Sequence, residues 1–119
     1  MHVLLLDDDV IFTRLFKIAA EKVGISVYFF DNLEDFRDGQ REAPRHYDAV
    51  IVDVFLDNNR VSDFVSELQF APIIVASRTT RWDASALNFS PNVRACLYKR
   101  HGVQPVIDAL REPAKINLG

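Results

Sequence analysis

The stretch Tyr47-Asp48-Ala49-Val50-Ile51-Val52-Asp53-Val54-Phe55-Leu56-Asp57 decides the fold. Four apolar residues, Ala49 to Val52, run unbroken between two carboxylates. An apolar run this short reads as a strand covered on both faces, the central strand of a parallel sheet. In an open α/β sheet, ligands sit in the crevice beyond the carboxyl ends of the strands. Asp53, which ends this strand, therefore stands where chemistry is done. A strand-ending Asp is also a common turn former or helix cap, so the weight on Asp53 comes from the residues that end the other strands.

Upstream, Val3-Leu4-Leu5-Leu6 reads as a first buried strand that stops at Asp7-Asp8-Asp9. Phe12, Leu15, Phe16, Ala19, Ala20 and Val23 recur at helical spacing and predict a helix over 10–22, with Gly24 as its stop. A second strand follows from Ile25 to Phe30, rich in aromatic and β-branched residues. Asn32 caps a short helix carrying Leu33 and Phe36, ended by Gly39, and 41–46 is a polar connection.

Downstream, Asp57-Asn58-Asn59-Arg60 reads as a polar loop, and Val61, Phe64, Val65 and Leu68 mark a helix. Pro72 to Ala76 is a fourth strand ending at Ser77, and 78–88 is a weaker helix anchored by Trp82, Ala86 and Leu87. After a turn at Ser90-Pro91-Asn92, Val93 to Tyr98 is a fifth strand ending at Lys99. The last helix spans 103–110, with Pro105 tolerated in its first turn. Five strands alternating with five helical patterns predict a doubly wound, five-stranded parallel sheet with helices on both faces. Residues 1–112 make one domain, and 113–119 a tail or the start of a linker.

A chain of 119 residues with 49% hydrophobic and 26% charged residues has the balance of a soluble globular domain. Its net charge of −3 favours neither nucleic acid nor an anionic membrane. The single cysteine, Cys96, excludes an internal disulfide and a cysteine-based zinc cluster; lying in an apolar stretch, it is expected to be a buried, reduced thiol. No apolar run approaches the roughly 20 residues that span a bilayer. Val3 to Leu6 runs straight into three aspartates, which is no signal-peptide pattern, so the expected location is cytoplasmic. His2, His46 and His101 are scattered without metal-ligand spacing, and Val27-Tyr28-Phe29-Phe30 reads as core rather than a base-stacking platform.

Four strands thus end on functional side chains: Asp7 and Asp8, Asp53, Ser77 and Lys99. Strand ends on one edge of a parallel sheet lie close together. Gathered carboxylates repel one another, and a divalent cation relieves that cost. Oxygen-only ligands select a hard ion such as Mg²⁺. A carboxylate beside Mg²⁺ is a nucleophile suited to a phosphoryl group, whose oxygens a hydroxyl and a lysine can hold.

This arrangement resembles the response-regulator receiver domains of two-component signalling, the CheY-like superfamily. The resemblance runs from Val3 to about Leu110 and rests on Leu6-Asp7-Asp8-Asp9, Tyr47 to Asp53, Pro72 to Ser77 and Cys96-Leu97-Tyr98-Lys99, in order and at strand ends. It implies a flavodoxin-like strand order, 2-1-3-4-5. It implies that Asp53 accepts a phosphoryl group from a sensor histidine kinase or a phosphotransfer protein. It further implies that Asp8, Asp53 and the Phe55 backbone carbonyl bind Mg²⁺, with Asp7 acting through water, and that Ser77 and Lys99 contact the phosphoryl oxygens. The signal would pass by conformational change to an output domain or protein, and a homodimer is open to such a domain. Asp9 reads as the cap of the first helix.

Five positions depart from the family pattern: Asp57 stands for a proline, Val61 for a glycine, Arg78 for a small residue, Cys96 for the switch aromatic and Arg100 for a proline. Arg78 is expected to gate the site, pairing with Asp57 at rest and clamping the phosphoryl oxygens afterwards. These departures keep a second reading open, a degenerate receiver that binds a protein partner without regulated phosphorylation. A third, a haloacid-dehalogenase-like phosphohydrolase, takes Asp7-Asp8-Asp9-Val10 as its nucleophile motif with Ser77 and Lys99. It needs an acidic pair after the lysine, where only Asp108 and Glu112 occur, apart from one another, and it leaves Asp53 unexplained.

Overall fold

The computed structural model of the chain describes residues 1–78 and 91–111. Its elements run β1 (His2–Leu6), α1 (Val10–Lys22), β2 (Ser26–Phe30), α2 (Leu33–Glu42), β3 (Ala49–Val52), β4 (Phe55–Leu56), β5 (Asn59–Arg60), α3 (Val61–Phe64), β6 (Ile73–Ser77), β7 (Val93–Tyr98) and α4 (Gln104–Arg111). The main sheet is parallel throughout, in the order β2-β1-β3-β6-β7. Counting only its strands, that is the expected order 2-1-3-4-5. The helix expected over 78–88, with Trp82, Ala86 and Leu87, and the segment 113–119 lie outside the described residues.

Strand alternation divides the core into two layers. Val3 and Leu5 of β1, Ala49 and Ile51 of β3, and Ile74 and Ala76 of β6 pack with Phe12, Phe16 and Ala20 of α1 and Val106, Ile107 and Leu110 of α4. Leu4, Leu6, Val50, Val52, Ile73 and Val75 face the other way, against Leu33 and Phe36 of α2 and Phe64 of α3. All four β3 residues are buried, as a central strand covered on both faces requires.

The helix ends follow their sequence signals, with one exception. Asp9 caps α1 by accepting the Phe12 N–H at 3.1 Å, and Asn32 caps α2 by accepting the Asp35 N–H at 2.8 Å. Gly24 follows α1 with φ 79°, where a side chain would strain. Gly39 does not end α2, which continues to Glu42. A Cβ on Gly39 would meet the Phe30 ring at 3.2 Å, so this glycine serves close packing of α2 on β2 instead.

Four further expectations are corrected. The apolar face of α1 is narrower than its periodicity suggests: Leu15 and Val23 are exposed, and Phe12, Phe16 and Ala20 carry the contact. Cys96 is exposed, because alternation along β7 turns it away from the face shared by Ala95 and Leu97. The supposed loop 57–60 belongs to an antiparallel hairpin in which Phe55 pairs with Arg60 and Leu56 with Asn59. Its two turn residues, Asp57 and Asn58, have φ of 51° and 64°, the signature of a type I′ turn. The helix after it is a single turn, α3, continued by a 3₁₀ segment over Val65–Leu68.

Candidate functional site

Asp53 follows β3 directly, and its N–H donates to the Leu6 carbonyl of β1 at 3.2 Å. Asp7 follows β1, and its N–H donates to the Phe30 carbonyl of β2, also at 3.2 Å. Ser77 closes β6 opposite Tyr98 of β7, and Lys99 is the next residue. Continued ladder bonding therefore sets where each side chain leaves the sheet edge. All of them emerge at the carboxyl ends of the strands, where the order reverses about β1 and β3.

Lys99 is the hub. Its Nζ lies 2.7 Å from Asp53 Oδ2, 2.7 Å from Asp7 Oδ2 and 3.4 Å from Asp9 Oδ2, with only 5% of the side chain exposed. The Phe12 ring lies beneath it, 4.8 Å from Nζ. Burial would lower the Lys99 ammonium, but Asp7 and Asp53 carry it above its ordinary value.

The carboxylates differ in their surroundings. Asp7 is fully buried, and burial raises it from 3.8 to about 6 against the pull of Lys99. Its Oδ1 accepts the Asp9 N–H at 2.8 Å and Lys99 Nζ at 2.9 Å, and its Oδ2 is ion-paired with Lys99 Nζ at 2.7 Å. Burial pushes Asp9 upward, yet the Phe12 N–H, Lys99 and Arg78 together hold it below the usual range. Asp8 is exposed, and its Oδ2 lies 3.4 Å from the Asp57 N–H.

Asp7, Asp8 and Asp53 each bring a carboxylate oxygen within 4.8 Å of the others. Three clustered carboxylates, all hard oxygen donors, suit a small divalent cation. Asp8, Asp53, Phe55, Asn58, Ser77 and Arg78 enclose a cavity of about 420 Å³ above this cluster. Ser77 is 2% exposed.

The structure thus brings together Asp7, Asp8, Asp53, Ser77 and Lys99, and it sets Phe55 on the cavity wall. Arg78 is there too, but with a different partner. Its Nε donates to Asp9 Oδ2 at 2.9 Å rather than to Asp57. Asp57 sits in a tight turn of the hairpin, and its backbone N–H lies 3.4 Å from Asp8 Oδ2. Sequence reasoning missed Asn58 as a wall residue and treated Asp9 only as a cap. The third consecutive aspartate at a strand end was the available signal for Asp9, because the first helical turn over a sheet edge faces the same crevice.

Asp108, one of the acids a dehalogenase-like reading would need, lies on α4 and accepts from Gln104 Nε2 at 2.8 Å. Asp7, the nucleophile in that reading, has no exposed surface.

No protein-family model matches the sequence, and no curated protein matches it. Solved structures do match. One is a response regulator from Burkholderia pseudomallei with a phosphorylated aspartic acid, a calcium ion and citrate. It is 18% identical, with a TM-score of 0.76 over 97% of this chain and 69% of that one. A response regulator receiver domain from Clostridium thermocellum is 19% identical, with a TM-score of 0.76 over 98% and 94% of the two chains. A response regulator from Thermotoga maritima in complex with Mg(2+)-BeF is 16% identical, with a TM-score of 0.74 over 93% and 96%. The chain has the fold of the CheY-like response-regulator receiver domains.

Proposed function

We propose that residues 1–112 are a phosphoacceptor receiver domain and that Asp53 carries the phosphoryl group. The observation that supports this most is the coincidence, at the end of the central strand, of a nearly buried carboxylate, a buried lysine 2.7 Å from it and two further carboxylates. Buried lysines and carboxylates are costly to hold. Their concentration at one strand edge marks a functional site.

In the reaction, an Asp53 carboxylate oxygen attacks the phosphorus of the donor. The new P–O bond forms as the bond from phosphorus to the donor's histidine nitrogen breaks, and that nitrogen keeps the electron pair. Lys99 and Ser77 take the transferred oxygens, which needs Lys99 to loosen from Asp53 as the carboxylate becomes an acyl phosphate. Asp8, Asp53 and the Phe55 carbonyl would hold Mg²⁺, with Asp7 acting through water. The ion, when bound, offsets charge on the transferring group. Asp7 would position Lys99, and the ion through water, rather than react itself.

The domain would act in signalling, its own chemistry limited to gaining and losing the phosphoryl group. Its donor would be a sensor histidine kinase or phosphotransfer protein, and its output a domain or protein contacted after a conformational change. Among the described residues no helix is long and apolar enough to cross a membrane; the cytoplasmic setting is part of the receiver reading.

The test is labelling by acetyl phosphate with Mg²⁺. The intact chain should be labelled, and Asp53→Asn should lose all label while keeping its melting transition. Label persisting in Asp53→Asn, or moving to Asp7, contradicts the proposal. Complete absence of label in the unaltered chain favours the protein-binding module instead, a reading that Arg78 on the crevice wall, ion-paired with Asp9, supports.

A further inference from the structure

We propose that Arg78, on the wall of the crevice, is a partner-switching cation: it rests on Asp9 and turns onto the phosphoryl group once Asp53 carries one. This rests on the receiver reading of Asp53. Arg78 follows Ser77 at the end of β6, so its backbone is anchored beside the buried hydroxyl while its side chain is 73% exposed. It lines two cavities. One is the crevice above Asp53. The other, about 460 Å³, lies beyond Asp9 along α1, where Phe12, Leu15 and Val103 form the wall. The side chain is the partition between them.

The resting pair is one the molecule can give up. The pair is open to water on its Arg78 side, although Asp9 itself is only 11% exposed, so the guanidinium keeps much of its hydration whether it is paired or not. Asp9 is not stranded when Arg78 leaves, because its Oδ1 still accepts the Phe12 N–H at 3.1 Å and its Oδ2 still lies 3.4 Å from Lys99. Lys99 is already shared among three carboxylates. A phosphoryl group adds close to two negative charges and three acceptor oxygens. A guanidinium, with five donors in a planar fork, meets that demand better than a carboxylate does.

Two kinetic consequences follow. At rest, the bridge obstructs entry of a donor. After transfer, the guanidinium covers the phosphoryl face from which water must approach. Hydrolysis requires water oxygen to bond to phosphorus while the P–O bond to Asp53 breaks, the carboxylate keeping the electron pair and the proton passing to solvent.

The experiment measures labelling by acetyl phosphate and subsequent loss of label, with Mg²⁺ throughout. Arg78→Ala should speed both steps by about tenfold, the scale of one charge-assisted contact. Asp9→Ser keeps a capping oxygen on α1 but frees Arg78. It should speed labelling and leave loss as slow as in the unaltered chain, or slower. The double variant should match Arg78→Ala. Unchanged rates in Arg78→Ala, or an Asp9→Ser variant that loses label as fast as Arg78→Ala, overturns the switch and leaves the receiver reading standing. Absence of label in the unaltered chain and in every variant overturns the receiver reading and the switch with it.

Discussion

Asp7 shows how one buried side chain sets a condition on the site. Burial raises it from 3.8 to about 6. Between those values the folded chain holds a proton that the unfolded chain has released, so stability falls as pH rises through the window. The full effect is about 3 kcal/mol, present below the unfolded value and lost above the folded one. Urea melts in metal-free buffer should therefore show a more stable protein near about pH 5 than near about pH 7.5, and Asp7→Asn should flatten the difference. Equal stabilities in the unaltered chain would show that Lys99 fully offsets the buried charge. Toward still lower pH the trend reverses, because Asp9, Asp48 and Glu67 are held below their ordinary values and lose favourable contacts on protonation. The residue types of the site were readable in the sequence, since carboxylates, a hydroxyl and a lysine at successive strand ends admit few arrangements. The pairing was not. Whether Arg78 meets Asp57 or Asp9 depends on the path of a four-residue segment, and composition does not fix that path.

That segment is the β4–β5 hairpin. Asp57 and Asn58 both hold positive φ, and the ribbon sets Asn58 against the crevice and the Asp57 N–H toward Asp8. Asn58→Val should cost about 1–2 kcal/mol, because a β-branched residue is strained in the left-handed region. If the hairpin shapes the crevice, the same change should also slow labelling of Asp53. A full-stability Asn58→Val variant in chemical denaturation would show that the turn does not hold this geometry in solution. The hairpin was hard to read because its strands have two residues each, too short for period-two alternation, and because its turn lacks the glycine that usually marks a type I′ connection. The longer elements were legible for the opposite reason. The run Val3 to Leu6 and the run Ala49 to Val52 are apolar on both faces, and Asp9 and Asn32 announce the helices they cap. Leu15 misled because helical spacing alone does not say how wide a face the sheet can cover.

At the scale of the whole molecule, two apolar layers hold five parallel strands so that their carboxyl ends share one edge. Asp7, Asp8, Asp53, Ser77 and Lys99 are thereby gathered from segments as much as 92 residues apart, as in the Lys99–Asp7 contact. An assembled site of this kind exists only in the folded chain, so Mg²⁺ should stabilise it by mass action, by about 1.4 kcal/mol at ten times the dissociation constant. Melting curves with and without millimolar Mg²⁺ should separate for the unaltered chain and coincide for Asp8→Ala. Coincident curves for both would remove the metal from the account. The most direct test of the phosphoacceptor assignment is to trap the modified side chain where it forms. The chain is incubated with Mg²⁺ and acetyl phosphate, reduced with borohydride, which converts an aspartyl phosphate to homoserine, and mapped by peptide mass spectrometry. The account predicts homoserine at position 53 and at no other aspartate. Homoserine at position 7, 8 or 9, or none at all, would contradict it.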